Sequence, residues 1–154
     1  MNELEKFMKI AYLEAEKARQ EDEVPVGAVI VQDGKVLAKG HNKKNTKQNT
    51  IWHAEMVVID KAQKKLKNWH LDGCELYVTL EPCPMCAGAC INSRVKKIVF
   101  GAYDPKAGCC GSLYNLAEDK RFNHRPEVVG GVMEKQCANI LTEYFKTKRG
   151  NKKW

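Results

Sequence analysis

The chain has 154 residues, 44% hydrophobic and 29% charged, which is enough for a single globular domain with its own core. No stretch approaches the ~20 apolar residues of a membrane span, and Met1 to Gln20 lacks the apolar centre of a secretory signal, so a cytoplasmic protein is expected. A net charge of +7 and a pI near 9.0 suit a polyanion such as nucleic acid as well as they suit ordinary solubility.

Apolar residues at Leu4, Phe7, Met8, Ala11, Ala15 and Ala18 predict an amphipathic helix over 3–20, ended by Glu21 to Pro25. Val26 to Gln32 and Lys35 to Gly40 flank Asp33-Gly34, a strong hairpin signal. Asn42 to Thr50, with its Asn and Lys residues, reads as a loop. Met56, Ile59, Ala62 and Leu66 predict a second helix from His53 to about Lys67, and Cys74 to Leu80 alternates as a strand. Pro84 opens a third helix through Asn92, where proline is tolerated in the first turn. Val95 to Gly101 is a further strand, and Val128 to Val132 a fifth weakened by Gly130-Gly131. Cys137, Ile140, Leu141, Tyr144 and Phe145 mark a last helix, followed from about residue 146 by a basic tail of Lys146, Lys148, Arg149, Lys152 and Lys153. No repeat or low-complexity linker interrupts the chain, so one domain over 1–154 is expected, with helices packed on a mixed sheet.

Seven cysteines in a reducing compartment read as thiols, small apolar residues or metal ligands, and an odd count argues against a fully paired framework. Only Cys83 and Cys86 have a metal-ligand spacing. They lie in the first turn of a predicted helix, whose free N–H groups and positive dipole stabilise thiolates. His53, at the start of another helix, completes a Cys2His set. Three protein ligands leave a fourth zinc position for water, acidified enough to supply hydroxide near neutral pH. Glu55 is placed to move that water's protons without ligating the metal. A Cys-x-x-Cys pair alone could equally be a redox pair or half of a structural zinc knot. Cys90 could supply a knot's fourth ligand, or face the helix's packing side as a small apolar residue.

His53-Ala54-Glu55 with Pro82-Cys83-Pro84-Met85-Cys86 resembles the signature of the cytidine-deaminase-like superfamily. The flanking segments Val24 to Ala28, Tyr77 to Pro82, Met85 to Ala89, Phe100 to Ala102, Gly111 to Leu113 and Asn123 to Arg125 look like those of bacterial tRNA-specific adenosine deaminases. That resemblance implies an α/β fold, a three-layer α/β/α sandwich on a five-stranded mixed sheet, acting as a homodimer with one Zn2+ per subunit. It implies a hydrolase acting on a cyclic amidine, which converts the wobble adenosine of a tRNA anticodon stem-loop to inosine with Glu55 as proton shuttle. It also assigns Asn42, Ala54, Asp104, Lys106, Tyr144 and Phe145 to substrate contacts. By local pattern alone, Asn42 reads as a turn residue, Asp104-Pro105 as turn initiation and Phe145 as core.

Two features depart from the resemblance. Trp52 stands before His53 where the family has a small residue, and would narrow the pocket mouth or pack against the helix. Cys109-Cys110 falls in a loop, where a thiol pair would be open to oxidation. Trp52, Tyr77 and Trp69 read as packing residues. The competing functions are a free nucleobase or nucleoside deaminase (guanine or cytosine type) and a non-catalytic RNA-binding protein with structural zinc.

Overall fold

The computed structural model describes residues 1–151, and their side chains as far as Lys148. Helix α1 (Glu3–Gln20) starts where the Asn2 side chain accepts the Glu5 N–H at 2.9 Å; acids fill its first turn and bases its last, matching the helix dipole. Strands β1 (Gly27–Gln32) and β2 (Lys35–His41) are joined by Asp33 and Gly34, both in the left-handed region that a two-residue hairpin turn requires. Then follow α2 (Lys44–Lys47), α3 (Ala54–Leu66), β3 (Cys74–Leu80), α4 (Pro84–Asn92), β4 (Lys97–Ala102), β5 (Glu127–Val129) and α5 (Glu134–Asn151).

The five strands lie in the order β2-β1-β3-β4-β5. β1 runs antiparallel to both neighbours, whereas β3, β4 and β5 are mutually parallel. Strand periodicity divides the side chains between two cores. Ala28, Ile30, Leu76, Val78, Ile98 and Phe100 pack with Val58, Ala62 and Cys90 from α3 and α4. Val29, Val31, Tyr77 and Val99 point the other way, onto Phe7, Met8 and Ala11 of α1 and Cys137 of α5. The result is the three-layer sandwich on a mixed sheet that the resemblance implied. Burial on both faces explains why these strands are nearly continuous in Val, Ile and Leu. At Gly27 a side chain would collide with the backbone of α1 at Ala11 and Ala15, so glycine there sets how closely the first helix lies on the sheet.

Three local expectations change. Residues 42–50 are not simply a loop: α2 forms within them because the Glu23 carboxylate accepts the N–H groups of Asn45 (3.0 Å) and Thr46 (2.5 Å). A cap supplied from more than twenty residues away leaves no trace in local sequence. The fifth strand is cut to Glu127–Val129, because Gly130 packs directly on the Phe100 ring and Gly131 is left-handed. Residues 146–151 continue α5, and Lys148 pairs with Asp22 at 2.5 Å; Lys152 and Lys153 lie outside the described residues.

α1 is tied to the end of β2 by His41, whose Nδ1 lies 3.0 Å from Glu14 and whose Nε2 lies 3.0 Å from Glu21. Burial alone would raise the Glu14 carboxyl, but hydrogen bonds from Lys17 and His41 outweigh it and hold the group below its usual 4.5. Its ionised form therefore favours the folded state. That contribution is complete above the unfolded value and is lost as pH falls through the lower folded one. We expect Glu14→Gln to flatten the loss of stability below about pH 4.5, the unfolded range of a glutamate. Denaturant unfolding at a series of acidic pH values checks this, and parallel curves for variant and parent would contradict it.

Candidate active site

Asn42, His53, Ala54, Glu55, Cys83 and Asp104 collect at one end of the sheet, where β3 and β4 finish, β1 begins and β2 hands the chain to Asn42. Carboxyl ends of parallel strands are where α/β sheets leave an open crevice. His53 and Cys83 occupy the N-cap positions of α3 and α4, both with extended backbone. Their carbonyls accept the first bonds of those helices, from Val57 (3.0 Å) and Ala87 (2.9 Å). Two helix N-termini thus lie side by side, and Cys86 joins them from within the first turn of α4.

His53 Nδ1 lies 3.6 Å from the sulfur of Cys83 and 3.6 Å from that of Cys86, and the three ligand atoms fall within 4.8 Å of one another. Zinc bonds of about 2.0 Å to nitrogen and about 2.3 Å to sulfur at a tetrahedral angle span about 3.5 Å, so the spacing and donor set fit zinc. The Cys83 thiol is pulled down to about 4, first by the S–H of Cys86 and then, against the penalty of burial, by His53. Cys86 is pushed up by the same contact, and the imidazole of His53 is raised by Cys83. Cys90 is fully buried among apolar residues and outside the triad, so it packs.

Glu55 is 4% exposed, and burial raises its carboxyl to about 7. It lines a pocket with His53, Ala54 and Cys83. Asn42 lines the same pocket; its Oδ1 accepts the Lys44 N–H at 3.1 Å, and its Nδ2 donates to the Val24 carbonyl at 3.4 Å. Asp104 does likewise, accepting the N–H groups of Lys106 (3.0 Å) and Ala107 (3.2 Å). For both, turn and pocket wall are one geometry. An adjoining apolar groove shares Val24, Leu80 and Asp104 with the pocket and extends to Lys106 and Phe145.

Tyr144 belongs to neither. It is 7% exposed and its hydroxyl donates to the Asp22 carbonyl at 3.2 Å, so it braces α5 against the turn before β1. Phe145, its neighbour, is 42% exposed and not the core residue that local spacing suggested. Trp52 is half-buried and does not line the pocket. Cys109 and Cys110 are buried and not open to oxidation. Tyr77 packs as expected, but Trp69 is exposed and stacks on His70 with ring centroids 3.7 Å apart. Sequence reading missed Val24, Val26, Lys44, Leu80, Glu81 and Ala107 as pocket residues. Glu81 stands against the Pro-Cys motif; no periodicity marks the others.

A family model described as MafB19-like deaminase matches residues 1–149. The chain belongs to this deaminase family. It is 54% identical over 153 residues to the tRNA-specific adenosine deaminase of Bacillus subtilis, covering 99% of this chain and 95% of that protein. A solved structure from studies of A-to-I editing by tRNA:A34 deaminases at the wobble position of transfer RNA is 41% identical. It superposes with a TM-score of 0.85 over 88% of this chain and 99% of that one. The guanine deaminase of Bacillus subtilis is 31% identical with a TM-score of 0.65, over 100% of this chain and 99% of that one.

The two aromatic neighbours on α5 of this deaminase separate stability from surface. Tyr144→Phe, which deletes a buried hydrogen bond, is expected to cost about 1 kcal/mol. Phe145→Ala, at an exposed position, is expected to stay within about 0.5 kcal/mol of the parent. Urea unfolding of the two variants reads the difference, and equal losses would contradict the assignment.

Proposed function

We propose that this deaminase converts the wobble adenosine of a tRNA anticodon to inosine and ammonia, with one zinc ion held by His53, Cys83 and Cys86. What carries the reading is the gradient of similarity: 54% identity to a tRNA-specific adenosine deaminase over nearly the whole chain, against 31% to a guanine deaminase. The groove beside the pocket supports it, since a free base has no use for a second apolar surface running to Lys106 and Phe145. The +7 charge suits a phosphate backbone.

Zinc bound to this triad supplies a Lewis acid that lowers the pKa of water to near 7. The chain's own groups do the rest. Glu55, its carboxyl poised by burial, takes a proton from the attacking water and returns protons to the ring nitrogen and the departing amine. Water adds at C6, the C6–N bond breaks, and ammonia leaves. Asn42 and Ala54 orient the base, and the wall at Asp104 excludes bulk water. The adenosine must leave the stack of the anticodon loop to enter so narrow a site.

The enzyme works as a homodimer in this reading. Leu113, Tyr114 and Phe122, large apolar residues left exposed on the connection between β4 and β5, support an interface between copies. tRNA as substrate puts the protein in the cytoplasm; among the described residues no helix is long and apolar enough to cross a membrane.

The test is inosine formation on an anticodon stem-loop with adenosine at the wobble position, beside free adenosine, guanine and cytosine. Turnover on the stem-loop that weakens steeply with salt is expected; turnover of a free base alone would overturn the tRNA reading. Glu55→Gln is expected to keep zinc and fold while losing about 10²–10⁴-fold in kcat, the range for a general acid–base group. Cys83→Ala is expected to lose zinc as well as activity, which metal analysis of the purified variant detects.

A further inference from the structure

Glu81 is a buried carboxylate, 2% exposed, with no cationic partner among the described residues. Its charge is met by four donors from one loop. Oε1 accepts the Asp104 N–H at 2.9 Å and the Ser112 hydroxyl; Oε2 accepts the N–H groups of Ser112 at 2.8 Å and Cys110 at 3.1 Å. That fills the acceptor sites a carboxylate has. The backbone of the same short turn is clamped too: Glu81 N–H donates to the Ala102 carbonyl at 2.9 Å, and the Pro82 carbonyl accepts the Cys109 N–H at 2.8 Å. Gly108 packs on the carboxylate so closely that a methyl group there would collide with it.

Burying a charge without a counter-ion is expensive, and an apolar residue would fill the space at less cost. A fixed carboxylate, however, can fix direction as well as distance, because charge-assisted bonds to backbone N–H groups are strong. The loop it holds carries Asp104 and Ala107 into the pocket wall and Lys106 into the adjoining groove. Asp104 passes the constraint on, since its own side chain accepts the N–H groups of Lys106 and Ala107. Two residues after Glu81 comes Cys83.

We propose that Glu81 is a positioning residue: its carboxylate hangs the Asp104–Ser112 loop on the turn that presents Cys83, and so sets the pocket wall at a fixed distance from the Cys2His triad. The inference rests on the deaminase reading for its effect on substrate, but not for the coupling itself. In this arrangement the wall and the triad form one unit, and loss of the carboxylate frees the wall without disturbing the ligands.

The experiment uses the zinc-loaded full chain and three variants. Glu81→Gln keeps the shape but turns an amide NH2 toward N–H donors. Gly108→Ala retains the carboxylate but crowds it out of position, and Ser112→Ala deletes one side-chain donor. Amide exchange needs no substrate: at Asp104, Cys110 and Ser112 it is expected to quicken about tenfold in Glu81→Gln and Gly108→Ala, with β3 and α4 unchanged. On the stem-loop, KM is expected to rise about tenfold with kcat within about threefold, and less for Ser112→Ala. The Glu81→Gln/Gly108→Ala double variant is expected to be no worse than the worse single, because both act through one carboxylate. Zinc content is expected to match the parent.

Unchanged exchange and KM in both single variants would overturn the proposal. So would loss of zinc from Glu81→Gln, which would make the residue a support of the metal turn instead of the loop. If Glu81→Gln does not fold, Gly108→Ala and Ser112→Ala decide on the same criteria. If the parent fails to act on the stem-loop, the tRNA reading falls, while amide exchange still decides the coupling.

Discussion

Two helix N-termini brought side by side at one end of the sheet is the constraint on which the rest of this molecule depends. His53 and Cys83 are thirty residues apart in sequence and must come within 3.6 Å, which fixes α3 and α4 on the same face of the sheet. Strand β3 is the ruler between them: it leaves the C-terminal region of α3, crosses the core, and delivers Glu81-Pro82-Cys83 back beside His53. The positive ends of both helix dipoles then point at the same small volume. They favour anionic sulfur there, and with it a divalent cation.

Buried acids show how the surroundings serve that convergence. Glu14, Glu23 and Glu81 are each buried, and each is consumed by hydrogen bonds to the frame. Glu14 pins β2's last residue, Glu23 starts the short helix beside Asn42, and Glu81 holds the opposite wall. Glu55 is buried to the same degree but faces the pocket, and there desolvation prevails and its carboxyl rises to about 7. Depth of burial alone does not separate architecture from chemistry here; at Glu14 and Glu81 the donors outweigh burial, whereas at Glu55 burial outweighs the hydrogen bonds it receives. A cysteine beside the triad obeys the same logic. Cys90 is surrounded by apolar side chains and its thiol is pushed well up by burial, so it stays a packing residue.

Elements whose cause is local are legible in the amino-acid sequence. The 3–4 spacing of Phe7, Ala11 and Ala15 and the Asp33-Gly34 turn each carry their own reason for folding as they do. Elements whose cause is distant are not legible there. α2 exists because Glu23 caps it, β5 stops because Gly130 meets Phe100, and Tyr144 turns inward because Asp22 offers an acceptor. Phe145 and Trp69 follow the same rule in reverse: apolar residues that read as packing positions are left exposed by the fold. Asn42 and Asp104 read as turns, and they are turns, but only the fold puts those turns around a pocket.

The metal motif therefore divides cleanly between the two levels. Sequence by itself determined the donor types that could hold a metal and the acid two places from the histidine, because donor identity is a property of single residues. It also indicated that the cysteines open a helix, since Pro84 is best tolerated in a helix's first turn. Only tertiary structure decided that the two halves share a site, that Cys90 does not, and that the wall facing them hangs from Glu81. Those are statements about distance between residues far apart in the chain, and distance is set by how strands pair and helices pack, which no local pattern records.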